Sequence, residues 1–162
     1  TQKRLLLSFR CRKFQKSGTN WYKMQYVDLD TITLTEIPKI IAEDGRGNLS
    51  VVEKDLLPYE IKRVYYLYDV PSDSIRGGHA HKQLQQFLIA VSGSFSVVLD
   101  NGKDRKTFLL NRPNKGLLIP SGVWRELENF SAGAVCLSLV SAEYDEDDYI
   151  RDYADFKSIK RS

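Results

Sequence analysis

The chain of 162 residues is long enough for one domain with a substantial buried core, or for one domain carrying an extension. Its 24 Lys plus Arg against 21 Asp plus Glu leave a formal net charge of +3, too little for the basic surface of a nucleic-acid binder and weakly in favour of anionic ligands. No apolar run approaches the ~18 residues of a membrane span and "RLLLSF" is too short for a secretory segment, so the chain is expected to be soluble and cytoplasmic, with no membrane or nucleic-acid partner.

Residues 1–23, "TQKRLLLSFRCRKFQKSGTNWYK", are basic, hold no Asp or Glu and show no clean period. They are expected to form a disordered N-terminal extension, with an ordered basic arm, or translation from Met24, as the alternatives. Residues 24–162 are expected to be one domain. "MQYVDLDTITL" alternates as a strand should. "NLSVVEK", "IKRVYYLYDV", "QFLIAVSGSFSVVLD", "DRKTFLLN", "KGLLIPSG", "VWRELENF" and "GAVCLSLVSAEY" follow, rich in Val, Ile, Leu and aromatic residues and mostly bounded by Gly, Pro, Asn or Asp. Asp100-Asn101-Gly102 predicts a two-residue hairpin, because Asn-Gly accepts the positive φ values of such a turn. Many short strands without helical crossovers imply an all-β antiparallel sandwich or barrel. Only the tail, "YDEDDYIRDYADFKSIKRS", reads as a helix: acids lead, bases trail, and Tyr149, Ile150, Tyr153 and Phe156 share a face that would pack on the barrel. Its acidic start reads as a solvated helix N-terminus and not as a metal site. Cys11 and Cys136 lie far apart, and Cys136 sits in an apolar run, which implies a buried thiol and no disulfide.

The only two histidines, His79 and His81, fall in "RGGHAHK". On a strand, side chains at i and i+2 point the same way, so both imidazoles should meet one substrate while Ala80 faces the other side. Imidazole, with an ordinary pKa of ~6.5, suits either metal binding or proton transfer.

The spacing around the pair resembles the first cupin motif: His-x-His, four residues, Gln86, six residues, Gly93, with Gln86 where cupins usually carry Glu. Gly116, Pro120, Gly122, Arg125 and Asn129 resemble the second motif, with Arg125 where metal-binding cupins carry histidine. A neutral amide and a guanidinium that cannot coordinate a cation thus replace two ligands. The site is therefore read as free of metal and cofactor, its histidines available for acid/base work.

A more specific likeness covers nearly all of residues 31–160. "GRGNLSVVE", "IKRVYYLYDVP", "RGGHAHKQLQQFLIAVSGSFSVVLDNG", "GLLIPSGVWREL" and "YDEDDYIRDYADF" resemble the bacterial dTDP-4-keto-6-deoxyglucose 3,4-ketoisomerases, the WxcM-like sugar-isomerase cupins. The resemblance implies a cupin jelly roll with a short C-terminal helix, assembled as a homodimer. It also implies metal-independent interconversion of the 4-keto and 3-keto forms of a dTDP-linked 6-deoxyhexose, on the way to amino-deoxy sugars such as those of O-antigens. An exchanged N-terminal strand around residues 24–34 would suit the dimer, because it would cover an open sheet edge.

That chemistry can be matched to residues. Moving a ketone from C4 to C3 removes the C3 proton, passes through an enediol and returns a proton to C4. His79 is expected as the main proton acceptor with His81 as its partner, and the reverse assignment stays open. Donors for the enediolate are Arg76, Tyr65 or Tyr66, and Arg125; Tyr65 shares strand parity with Arg63. Guanidinium forks match phosphate oxygens, so Arg46, in "DGRGN", and Arg63 are assigned to the diphosphate. Trp124 would stack on thymine or wall the sugar pocket, and Gln86 would contact substrate. Three rival readings stay open: a metal-dependent cupin enzyme, a non-catalytic nucleotide-sugar-binding cupin, and a 3,5-epimerase acting on the same substrate.

Overall fold

Alternating burial sorts the chain into strands that face one another across a core. A computed structural model describes residues 24–161, and the extension expected for residues 1–23 lies outside them. In chain order come β1 (Leu34–Glu36), β2 (Lys39–Ile41), β3 (Asn48–Ser50), β4 (Arg63–Leu67), β5 (Arg76–His81), β6 (Gln86–Ser92), β7 (Phe95–Asp100), β8 (Arg105–Leu110), β9 (Lys115–Ile119), β10 (Trp124–Glu128), β11 (Val135–Val140), β12 (Tyr149–Ile150) and the helix α1 (Tyr153–Arg161). One antiparallel sheet has the order β1-β9-β6-β11-β4 and the other β12-β5-β10-β7-β8, with β2 and β3 as a separate hairpin. β8 shows the governing rule: Phe108 and Leu110 are buried while Thr107 and Leu109 are exposed, because side chains alternate across a sheet with one wet face.

The inward residues meet between the sheets. Phe95, Val97 and Leu99 of β7, Leu88 of β6, Leu110 of β8 and Leu117 of β9 belong to the main core. Each such side chain contributes about 1.5–3 kcal/mol on burial, so this layer dominates the stability. Ile37, Leu57, Phe87, Ile89 and Leu139 form a second cluster. α1 sets Phe156 against Ala80, Trp124 and Ile150 in a third. This is the expected all-β fold with a short C-terminal helix.

Local departures have local causes. Residues 24–33 are not a strand: Asp28 caps a 3-10 turn at Leu29–Thr31, and Val27, Leu29 and Ile32 plug the core. Only Leu34–Glu36 pairs, with β9. The strand expected over residues 24–34 is thus confined to its last residue and the two that follow it. After β7 the loop has four residues rather than two, since Asp100 pairs with Arg105, and the Asn101 side chain accepts the amides of Lys103 and Asp104.

The tail also divides. Asp145 caps a 3-10 turn at Glu146–Asp148, and Asp152 accepts the Asp155 amide to start α1 afresh. Between the two caps Tyr149 and Ile150 pair with His81 and Ala80 as β12. The acidic run is thus no helix N-terminus, and Asp148 is folded against the end of β5.

Candidate active site

The glycines of "RGGHAHK" make a bulge. Arg125 of β10 lies opposite His79 and Leu127 opposite Arg76, so two steps along β10 match three along β5. Gly77 takes the kink with φ of 75°, and a Cβ there would stand 2.8 Å from Leu127 Cδ1. The extra residue changes parity. On a regular strand Arg76 and His79 would face opposite sides, but here both line one cavity of about 530 Å³.

That cavity opens between the two sheets. β4 presents Arg63 and Tyr65, β6 presents Gln86, β10 presents Arg125, and the tail adds Tyr149 and Arg151. Guanidiniums of Arg63, Arg76, Arg125 and Arg151 border it and no carboxylate does, while Arg151 is paired from behind with Glu146, through Nε at 2.7 Å and Nη2 at 2.9 Å. Low-dielectric walls lined by one sign of charge focus the potential and attract an anion. Four buried polar atoms find no partner among the described residues: Arg63 Nε, His79 Nε2, Gln86 Oε1 and Arg125 Nε. All four residues line this cavity. Leaving such a group unpaired costs ~1–3 kcal/mol, so the set marks where a polar ligand would complete the bonding.

The histidines share a face and differ in surroundings. Their ring centroids lie 4.9 Å apart, edge to face, and Tyr149 packs on both, at 4.8 Å from His79 and 4.4 Å from His81. Arg151 stacks on Tyr149 at 4.2 Å. His79 lines the cavity, and burial, with Arg125, His81 and Arg151 nearby, pushes its pKa down to about 2, so its ring is neutral. His81 is buried behind it and does not line the cavity. Its Nδ1 lies 2.9 Å from Asp148 Oδ2, and its Nε2 lies 3.2 Å from Arg125 Nη2. Burial lowers the His81 pKa against the opposing pull of Asp148, so the contact is a hydrogen bond from a neutral ring rather than an ion pair.

Two further networks hold the cavity wall. Arg125 is buried and donates through Nη1 to the His79 carbonyl at 3.3 Å. Gln86 Nε2 donates to the Tyr65 hydroxyl and, at 2.8 Å, to Ser138 Oγ, which orients the phenol toward the cavity from an adjacent strand pair. Cys136 is a buried free thiol with a pKa pushed up to about 12 by burial, which leaves it inert; Cys11 lies outside the described residues.

Three of the sequence candidates lie elsewhere. Arg46 sits on the exposed turn of the β2–β3 hairpin and pairs with Asp44. Tyr66 alternates with Tyr65 and is 60% exposed on the outer face of β4. Trp124 alternates with Arg125, packs against Tyr153 and Phe156 under α1, and donates from Nε1 to Glu126 at 2.9 Å. Conversely, Tyr149 and Arg151 line the cavity and Asp148 holds His81, all three within the stretch that the sequence reads as helix. The second cap at Asp152 was the signal that the helix starts after them.

Residues 30–161 match the family described as FdtA: WxcM-like, C-terminal. The chain belongs to the WxcM-like family. Among its WxcM-like relatives, a TDP-4-oxo-6-deoxy-alpha-D-glucose-3,4-oxoisomerase of Aneurinibacillus thermoaerophilus is 44% identical over 115 residues, 70% of this chain and 83% of its own. A crystal structure of a 3,4-ketoisomerase from Helicobacter canadensis aligns with a TM-score of 0.77 at 43% identity, over 82% of this chain and 98% of its own. A histidine-to-asparagine variant of QdtA, the 3,4-ketoisomerase from Thermoanaerobacterium thermosaccharolyticum, was crystallised with TDP-4-keto-6-deoxyglucose. It aligns at 0.76 and 38%, over 80% and 94%. In this WxcM-like chain no group of three or more His, Cys, Asp or Glu side chains is placed to hold a metal ion among the described residues. Nor is any helix among them long and apolar enough to cross a membrane.

Proposed function

We propose that this chain is a 3,4-ketoisomerase that converts dTDP-4-keto-6-deoxyglucose to a dTDP-3-keto-6-deoxyhexose through an enediol, without metal or cofactor. One observation carries the reading: unpartnered polar atoms, His79 Nε2 among them, gather in a cavity bordered by four guanidiniums and no carboxylate. A nucleoside diphosphate has the charge this cavity lacks. Arg63, Arg76 and Arg151 meet its phosphate oxygens. The neutral His79 takes the proton from C3. Negative charge then develops on the oxygens at C3 and C4, where Arg125 and the Tyr65 hydroxyl donate, and the same charge raises the proton affinity of His79. A proton returns to C4 while the hydroxyl proton passes from the C3 oxygen to the C4 oxygen, so the reaction balances with nothing gained or lost.

The enzyme works in the cytoplasm as a homodimer and serves the synthesis of deoxyamino sugars such as those of O-antigens. Support for the dimer comes from apolar side chains left in water. Ile40, Ile41 and Leu49 of the β2–β3 hairpin are 59%, 64% and 58% exposed, and Val64, Tyr66 and Tyr68 are exposed on and just after β4. Arg46 rides on that hairpin, away from its own cavity, so a phosphate role for it requires the cavity of the second copy. Incubation with dTDP-4-keto-6-deoxyglucose in D2O, read by NMR, tests the reaction. A ketone at C3 is expected. Deuterium at C5 with the ketone still at C4 would identify a 3,5-epimerase instead, and activity lost to a chelator and restored by one divalent metal would end the metal-free mechanism.

A further inference from the structure

β5 ends on His81, and the chain then turns over one carboxylate that gathers three donors. Asp148 Oδ1 accepts the Gln83 amide at 2.7 Å, while Oδ2 accepts the Leu84 amide at 3.2 Å and lies 2.9 Å from His81 Nδ1. The other ring nitrogen, Nε2, lies 3.2 Å from Arg125 Nη2. A carboxylate can only accept and a guanidinium can only donate. A single arrangement of the proton satisfies both neighbours: Nδ1–H donates to Asp148, and the Nε2 lone pair accepts from Arg125. A proton added at Nε2 would set donor against donor and release Arg125. Both nitrogens are committed, and the ring lies outside the cavity lining.

We infer that Asp148 and His81 are positioning residues that together hold Arg125 toward the reacting sugar, and that His81 keeps its Nδ1 proton and exchanges none with the substrate during turnover. The inference rests on the ketoisomerase reading for what Arg125 faces. With Nη2 held by His81 and Nη1 by the His79 carbonyl, the Arg125 fork is fixed at two points and its unpartnered Nε faces the need for a ligand. A carboxylate that fixes one imidazole nitrogen so as to present the other is a recurrent device in catalytic and metal sites. Here the presented nitrogen steers a guanidinium, and His79 is left as the imidazole that moves the proton.

Nitrogen-15 NMR of the imidazoles reads the proton directly. At neutral pH His81 is expected as a neutral ring protonated at Nδ1, and a ring protonated at Nε2, or at both nitrogens, overturns the inference. Substitution separates an acceptor from a proton carrier. H81Q keeps an amide oxygen near the Nε2 position and is expected to recover at least ~10-fold of the ~10²-fold kcat lost in H81L. Equal loss in the two overturns it. D148A is expected to lower kcat by at least ~10-fold with KM within ~3-fold, and an unchanged kcat removes Asp148 from the role. If no variant folds, the wild-type spectrum decides alone. The spectrum needs no substrate, so a wrong tautomer defeats this inference and leaves the reaction standing, whereas absent ketone migration defeats the reaction and leaves the tautomer.

Discussion

On the inner face of β11, Cys136 lies opposite Leu67 and Ala90, Ser138 opposite Tyr65 and Leu88, and Val140 opposite Arg63 and Gln86. Within ~13 Å of strand the same surface passes from apolar to charged. At the apolar end Phe95, Val97 and Leu99 close the space between the sheets, and among the described residues no unpartnered buried side-chain polar atom belongs to that cluster. At the other end the sheets part around guanidiniums and orphaned polar atoms, some of them fully buried. One end supplies the stability that the other gives up. A site arranged for a missing anion is less stable without it, and gains when the anion binds.

Substitutions at the two ends should therefore separate rate from stability. The largest effect is expected for His79→Asn, which should lower kcat by ~10²–10⁴ in a steady-state assay while TDP binding stays within a few-fold. Phe95→Ala should do the reverse, costing about 3–5 kcal/mol in urea unfolding with kcat per folded molecule unchanged. Arg151→Ala should raise KM ~10-fold with little change in kcat, because a charge-assisted bond to phosphate holds substrate and transition state alike. A further effect, read over a pH range and not from one substitution, is on stability against pH. Both imidazoles have folded pKa values below the unfolded ~6.5, so the unfolded chain binds more protons below that pH. Stability should be level above pH 6.5 and fall as pH drops toward the folded values, by up to about 1.4 kcal/mol per pH unit for each ring. Denaturant midpoints across pH 4–8 would show it, and His79→Asn should shallow the slope.

Much of this architecture could be read from alternation alone, and the failures trace to parity. In "VYYLY" and "VWREL" the sequence offers neighbouring residues to the site, yet a strand can turn only one of each pair inward, and sequence does not say which. The structure brings Tyr65 and Arg125 to the cavity and sends Tyr66 and Trp124 outward. The bulge at Gly77 runs against the same rule, since it lets Arg76 join His79. Tyr149, Ile150, Tyr153 and Phe156 fit one helix face as well as they fit a strand followed by a helix, so Asp148, Tyr149 and Arg151 were hidden. The phosphate role of the hairpin arginine, Arg46, rests on resemblance and charge, which carry no information about where its turn lies.

The central claim is that His79, neutral within a cationic cavity, removes the C3 proton. Exchange of the C3 hydrogen of dTDP-4-keto-6-deoxyglucose with D2O, followed by proton NMR in wild type and His79→Asn at saturating substrate, tests it most directly. Exchange in the wild type that slows by ~10²–10⁴ in the variant is the predicted result. A variant that exchanges C3 at the wild-type rate would contradict it.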